Sequence, residues 1–95
     1  MVFEWDEEKD TINQKKHGIS FKDARYVFAD PFAVTRDDFT DSEHRKQIMG
    51  HIGGTLLVLV VYSMKNRQGK DVFRIISARK ATAAERRNYE AGKWF

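Results

Sequence analysis

The sequence predicts an α+β fold: an antiparallel sheet of four to five strands, two helices near the N-terminus and one at the C-terminus. Three observations carry that expectation. The elements run in the order β-α-α-β-β-β-β-α. The last four strands follow one another through short connections, which suit antiparallel neighbours, whereas parallel strands need long crossovers. The helices gather at the two ends of the chain instead of alternating with strands, which argues against a doubly wound sheet. At 95 residues the chain has the size of one domain, spanning 1–95. A chain of that length buries roughly two-thirds of its unfolded surface, enough for a modest core.

The first strand is the short alternation Val2-Phe3-Glu4-Trp5. Asp6 is placed to cap a helix, and Glu7 and Glu8 suit the positive end of its dipole. That helix runs to Lys16 or His17 and stops at Gly18, the residue that tolerates a left-handed cap. Ser20 caps a second helix, with Ala24, Val27 and Phe28 turned to the core at helical spacing, until Pro31 ends it. Phe32-Ala33-Val34-Thr35 begins a strand, and the acidic stretch 36–42 reads as a loop. A strand over 45–52 leads through Gly53-Gly54, a two-residue hairpin turn, into an apolar central strand over 55–63. Residues 65–70 read as a polar connection, and 71–78 as the last strand. Thr82 and Glu85 form a capping box that opens the final helix, with Ala84, Ala91 and Trp94 as its apolar side.

The chain has no cysteine, so disulfides and thiolate metal sites are excluded, which fits a reducing cytoplasm. No secretory leader is read at the N-terminus, and the longest apolar run falls far short of the ~20 residues of a membrane helix. The net charge of +3 hides an asymmetry. Residues 1–43 hold 6 Lys/Arg against 11 Asp/Glu, and residues 44–95 hold 11 against 3. A strongly basic half draws phosphate-bearing ligands, although it can equally be a solvated surface that offsets the acidic half.

The basic residues of the last strand are the first site candidates. Strict alternation puts Phe73, Ile75, Ser77 and Arg79 on one face and Val72, Arg74, Ile76 and Ala78 on the other. Arg74 either lays its stem on the surface or points into a cleft floor. Arg79 leaves the strand beside Lys80. Guanidinium forks match a phosphate and stay charged, so Arg74 and Arg79 together could stabilise a pentavalent phosphorane. Arg45 and Lys46 open the strand before the Gly-Gly turn, with Glu43 and His44 just upstream. Either could serve as general base toward a ribose 2′-hydroxyl, or Glu43 could simply pair with Arg45. Arg86 and Tyr89 follow on the last helix, where Tyr89 could stack, donate a proton or merely pack. The three histidines fall in no zinc-binding spacing, so no metal or other cofactor is expected. No glycine-rich phosphate loop or nucleophile elbow is present.

Three stretches together resemble the BrnT family of toxins from type II toxin–antitoxin pairs. They are Phe3-Glu4-Trp5-Asp6 through Asn13 to Lys16-His17-Gly18-Ile19-Ser20-Phe21, then Glu43-His44-Arg45 leading to Gly50, then Arg74-Ile75-Ile76-Ser77-Ala78-Arg79 through Glu85-Arg86 and Tyr89. The resemblance implies a RelE-like fold, a metal-independent endoribonuclease that inhibits translation, and a ribbon-helix-helix antitoxin as partner. It also implies that the toxin–antitoxin complex binds operator DNA through the antitoxin. By position it carries over Glu43, Arg45, Arg74, Arg79 and Tyr89 as catalytic residues; Lys46, Lys80 and Arg86 are read as RNA-binding from their charge. The competing readings are a non-catalytic nucleic-acid-binding or protein-binding module on the same basic face, and a structural partner for an acidic protein segment.

Overall fold

The computed structural model describes residues 1–38 and 44–94. It contains β1 (Val2–Glu4), α1 (Glu7–His17), α2 (Phe21–Ala24), a 3₁₀ turn (Arg25–Ala29), β2 (Val34–Asp38), β3 (Arg45–Ile52), β4 (Leu56–Arg67), β5 (Lys70–Lys80) and α3 (Ala83–Glu90). The five strands form one sheet in the order β1-β5-β4-β3-β2. The expected α+β class and three helices are present, and β2 to β5 make the antiparallel meander. β1 differs: it lies parallel to β5, matching Val2 with Val72, Phe3 with Phe73 and Glu4 with Arg74. The sheet is therefore mixed, and the chain enters it at the edge opposite β2.

The caps form where the sequence puts them. The Asp6 carboxylate accepts the N–H groups of Glu8 and Lys9, and Gly18 closes α1 at a φ of 71°. Thr82 and Glu85 complete the capping box of α3. Asn13, buried on α1, extends the sheet. Its side chain accepts the N–H of Ala78 at 3.2 Å and donates to the Ala78 carbonyl at 2.9 Å. These are the edge groups of β5 that lie beyond the end of β1. Asn13 also donates to the carbonyl of Ile19 at 2.9 Å, and buried Asp10 accepts the N–H of Phe21, so the turn into α2 is locked to α1.

α2 and the 3₁₀ turn cover one face of the sheet. Phe21, Ala24 and Val27 pack on Ile48, Val58, Val60, Ile75 and Ala78, and Phe3, Phe28, Tyr62 and Phe73 form an aromatic cluster beside them. A smaller core on the opposite face holds Met49, Leu57 and Leu59 under Trp94, with Tyr89 against it. Ala84 and Ala91 are exposed. The last helix thus packs through its far end and the Trp94 tail, not through the alanine side expected for it.

Four strand features differ from expectation. The loop at Gly53-Gly54 holds three residues, not two, because Thr55 joins it and Ile52 pairs with Leu56. β2 continues to Asp38 because polar side chains pair across it: Arg36 donates to Gln47 at 2.9 Å, and Gln47 donates to Asp38 at 3.2 Å. The expected polar connection over 65–70 is a hairpin with β4 and β5 running up to it. Its turn residues Gln68 and Gly69 sit at φ 51° and 81°, the left-handed pair that matches strand twist. Finally, β5 carries a bulge. Val61 pairs with Ser77 but Tyr62 pairs with Ile75, so Ile76 is an extra residue. A bulge reverses the side-chain parity beyond it. Strict alternation therefore fails, and Arg74 and Arg79 share a face.

Candidate active site

The face away from α2 and the 3₁₀ turn carries a row of cross-strand neighbours. Asp38 lies opposite Arg45, Arg45 opposite Ser63, Ser63 opposite Arg74, and Arg74 opposite Glu4. Neighbouring strands are about 4.8 Å apart, so Arg45 and Arg74 flank Ser63 at a spacing two long side chains can close. Both line a groove of about 490 Å³ with His44, Ser63, Lys65 and Lys9. Acidic residues stand at the two ends of the row. Glu4 lies 3.6 Å from the Arg74 guanidinium, and it also accepts two hydrogen bonds from Arg67, at 3.2 and 3.3 Å. Such an arrangement can hold an anion over Ser63 between two guanidiniums.

The other expected site residues divide by location. Arg79 is on this face, opposite Leu59, but its fork is bound to Glu85 in a two-bond pair at 2.8 and 2.9 Å. That fork pulls the Glu85 carboxyl down to about 2, against the upward push of burial and with help from Thr82. Lys46 lies opposite Tyr62 and so points to the helix-covered face, where it pairs with Asp37 at 2.9 Å. Lys80, opposite Val58, also points away from the row's face at the exposed strand exit, and Arg86 is exposed on α3. Glu43 lies outside the described residues.

Tyr89 is not brought to the row. Its hydroxyl donates to the buried carboxylate of Asp30 at 2.7 Å. The other Asp30 contacts are the N–H of His51 at 2.8 Å and the N–H of Phe32 at 2.8 Å. Burial pushes the Asp30 carboxyl up, but these donors outweigh it and hold the carboxyl below its ordinary value. Burial, together with the bond to Asp30, pushes the Tyr89 hydroxyl up to about 12. The Tyr89 proton is given to Asp30, so the 3.1 Å contact with His51 is made by Nδ1–H donating to the phenol oxygen. Gly50 makes this cluster possible, because a Cβ there would meet the Val27 carbonyl at 3.0 Å and Asp30 at 3.1 Å.

Sequence reasoning missed Ser63, Lys9, Asp30 and His51. Ser63 was out of reach because a two-residue Gly53-Gly54 turn would set Tyr62 opposite Arg45, whereas the loop takes in Thr55, pairs Ile52 with Leu56 and so sets Ser63 there. Asp30 had a weak signal: an acid before a proline with no other assigned role.

Comparison with known proteins bears on what this face does. A family model described as "Ribonuclease toxin, BrnT, of type II toxin-antitoxin system" matches residues 5–85. The crystal structure of the Brucella abortus ribonuclease toxin BrnT is similar to this chain at 25% identity, with a TM-score of 0.64. The match covers 86% of this chain and 99% of that one. No curated protein sequence matches.

Proposed function

The chain belongs to the BrnT family of ribonuclease toxins of type II toxin–antitoxin systems, and from that premise we propose that it cleaves RNA on the Arg45–Ser63–Arg74 face without a metal ion. The observation that carries this reading is the cross-strand row itself, two guanidiniums flanking a hydroxyl in one groove.

The reaction is the attack of a ribose 2′-hydroxyl on the adjacent phosphorus. A pentacoordinate phosphorane forms, the bond to the 5′-oxygen breaks, and the products carry a 2′,3′-cyclic phosphate and a 5′-hydroxyl. Arg45 and Arg74 hold the non-bridging oxygens, where negative charge grows in the transition state. Two fixed cations supply the electrostatic role that a metal plays elsewhere. His44 or Glu43 takes the 2′-hydroxyl proton, and a lysine of the groove, Lys9 or Lys65, returns one to the leaving oxygen. Tyr89, which already donates to Asp30, is left out of this scheme, and Arg79 supports α3 through Glu85. Arg86 serves as an outer contact for RNA, and Lys80, on the other face, is left out with Lys46.

Loss of cellular RNA would inhibit translation in the cytoplasm, where the substrate is. The toxin–antitoxin family calls for a cognate antitoxin, and we take it to be a ribbon-helix-helix protein that covers the cationic face and binds operator DNA. The test is RNA cleavage in excess chelator, scored for cyclic-phosphate ends. The Arg45→Ala, Arg74→Ala double variant should lose at least about 100-fold in rate while remaining folded. Cleavage by the double variant at the wild-type rate, or RNA binding by the wild type with no turnover, would overturn the proposal.

A further inference from the structure

The β4–β5 hairpin does not stop at the active-site row. β3 begins at Arg45, opposite Ser63, while β4 and β5 run on together over 64–73, joined by β1 only at Val72 and Phe73 among the described residues. Residues 64–71 are all exposed. Three of them are cations, Lys65, Arg67 and Lys70. A ribbon of polar residues has little core of its own, and among the described residues only the three residues of β1 buttress its base.

The register decides where those charges point. Ser63 pairs with Arg74, Lys65 with Val72 and Arg67 with Lys70, so all three cations share the face of the active-site row. Two contacts confirm the parity. Arg67 reaches Glu4, the neighbour of Arg74, on that face. Asn66 and Asp71 meet each other at 3.2 Å on the opposite face. Among the described residues neither Lys65 nor Lys70 has a carboxylate within ion-pair distance.

We propose that the ribbon is an RNA-backbone track, continuing the Arg45–Ser63–Arg74 site outward so that Lys65, then Arg67 with Lys70, take the phosphates next along a single strand. Successive positions on one strand face are about 6.8 Å apart, a step that suits neighbouring phosphates of an extended strand. The cations are carried on backbone hydrogen-bonded into a sheet, so they are held in line. The track contains no aromatic side chain on that face and no donor–acceptor pair aimed at a base edge, so it grips backbone and leaves base identity unread. The proposal rests on the reading of this face as the cleavage site.

The experiment uses full-length protein and a fluorescent 2′-O-methyl RNA oligonucleotide, which lacks the nucleophile and so binds without being cut. Binding is measured across a salt series for the wild type and for the Lys65→Gln, Arg67→Gln, Lys70→Gln triple variant. A Lys15→Gln, Lys16→Gln, Lys22→Gln variant removes equal charge from the two N-terminal helices. The ribbon variant should lower the slope of log K against log[salt] by about 2, since each single-strand phosphate contact contributes roughly 0.7. Affinity should fall on the order of 10- to 100-fold at 0.1 M salt, and the helix variant should match the wild type. A Lys65→Arg, Arg67→Lys, Lys70→Arg exchange, which keeps every charge, should restore the slope. An unchanged slope in the Gln triple variant overturns the proposal, as does equal loss in the helix variant. So does RNA binding at wild-type strength together with lost antitoxin binding, which would make the ribbon a protein surface. If the slope falls but wild-type protein cuts no RNA, the track stands and the catalytic reading fails.

Discussion

Two polar constellations occupy opposite ends of β3, and they are built on opposite principles. At its start, Arg45 joins Ser63 and Arg74 on an open sheet face, with Glu4 at the edge shared between two arginines. At its end, Asp30, His51 and Tyr89 close on one another. An acid, an imidazole and a phenol look like catalytic parts, yet the Asp30 carboxylate and the Tyr89 hydroxyl are already bonded. One Asp30 oxygen accepts a backbone N–H and the Tyr89 hydroxyl, the other accepts a second N–H, and the phenol oxygen accepts His51. The cluster ties α3 and the 3₁₀ turn to the sheet edge just beyond the first residue of β2. Residue type alone does not tell the two constellations apart; the contacts each side chain makes do.

The sharpest way to break this contrast is to exchange the effects. The Arg45→Ala, Arg74→Ala variant should lose cleavage by about 100-fold or more and keep its melting temperature. Asp30→Ala should do the reverse. It leaves three donors without their acceptor, which lowers stability by about 3 kcal/mol, read by urea unfolding, while the folded fraction still cuts RNA.

Acid should act on the brace first. Glu85 has a folded value of about 2 against an ordinary 4.5, and Asp30 is also held down. A lowered carboxyl stabilises the fold above its unfolded value, and that contribution is lost as pH falls toward the folded one. Stability should therefore be flat above pH 5 and decline from about pH 4.5 toward 2, with amide exchange in α3 rising before exchange in β4. Exchange rising first in β4 would place the weak point in the sheet.

A smaller effect sharpens the assignment of Tyr89. Tyr89→Phe should reduce stability by about 1 kcal/mol and leave the cleavage rate within twofold, by single-turnover kinetics. A large rate loss in a stable protein would return Tyr89 to the mechanism. The smallest effect belongs to Lys46→Ala. Its pair with Asp37 is exposed, so thermal melting should shift by less than about 1 kcal/mol equivalent, with RNA affinity unchanged.

Local signals were legible in the chain and long-range ones were not. Asp6, Gly18, Thr82 and Glu85 act within one helical turn, so their roles follow from spacing alone. The turn at Gly53-Gly54 was legible but its length was not: Thr55 joins the loop, Ile52 pairs with Leu56, and the register moves by one residue from a two-residue turn. The parallel docking of β1 on β5 joins residues some seventy positions apart, and nothing in Val2-Phe3-Glu4 specifies a direction. The Asp30–Tyr89 bond spans 59 positions. The bulge at Ile76 mattered most. Alternation alone sets Arg74 and Arg79 on opposite faces, and one extra residue reverses that. The ribbon was hidden by composition, because its polar residues read as loop while backbone pairing and the Gln68-Gly69 turn make them strand.

The most direct test of the central claim is a nuclear magnetic resonance titration of isotope-labelled protein with the uncleavable 2′-O-methyl RNA. The account predicts shift changes at Arg45, Ser63 and Arg74, including the guanidinium signals, with His51 and Tyr89 unmoved. Changes centred on Asp30, His51 and Tyr89, with the arginine row silent, would contradict it.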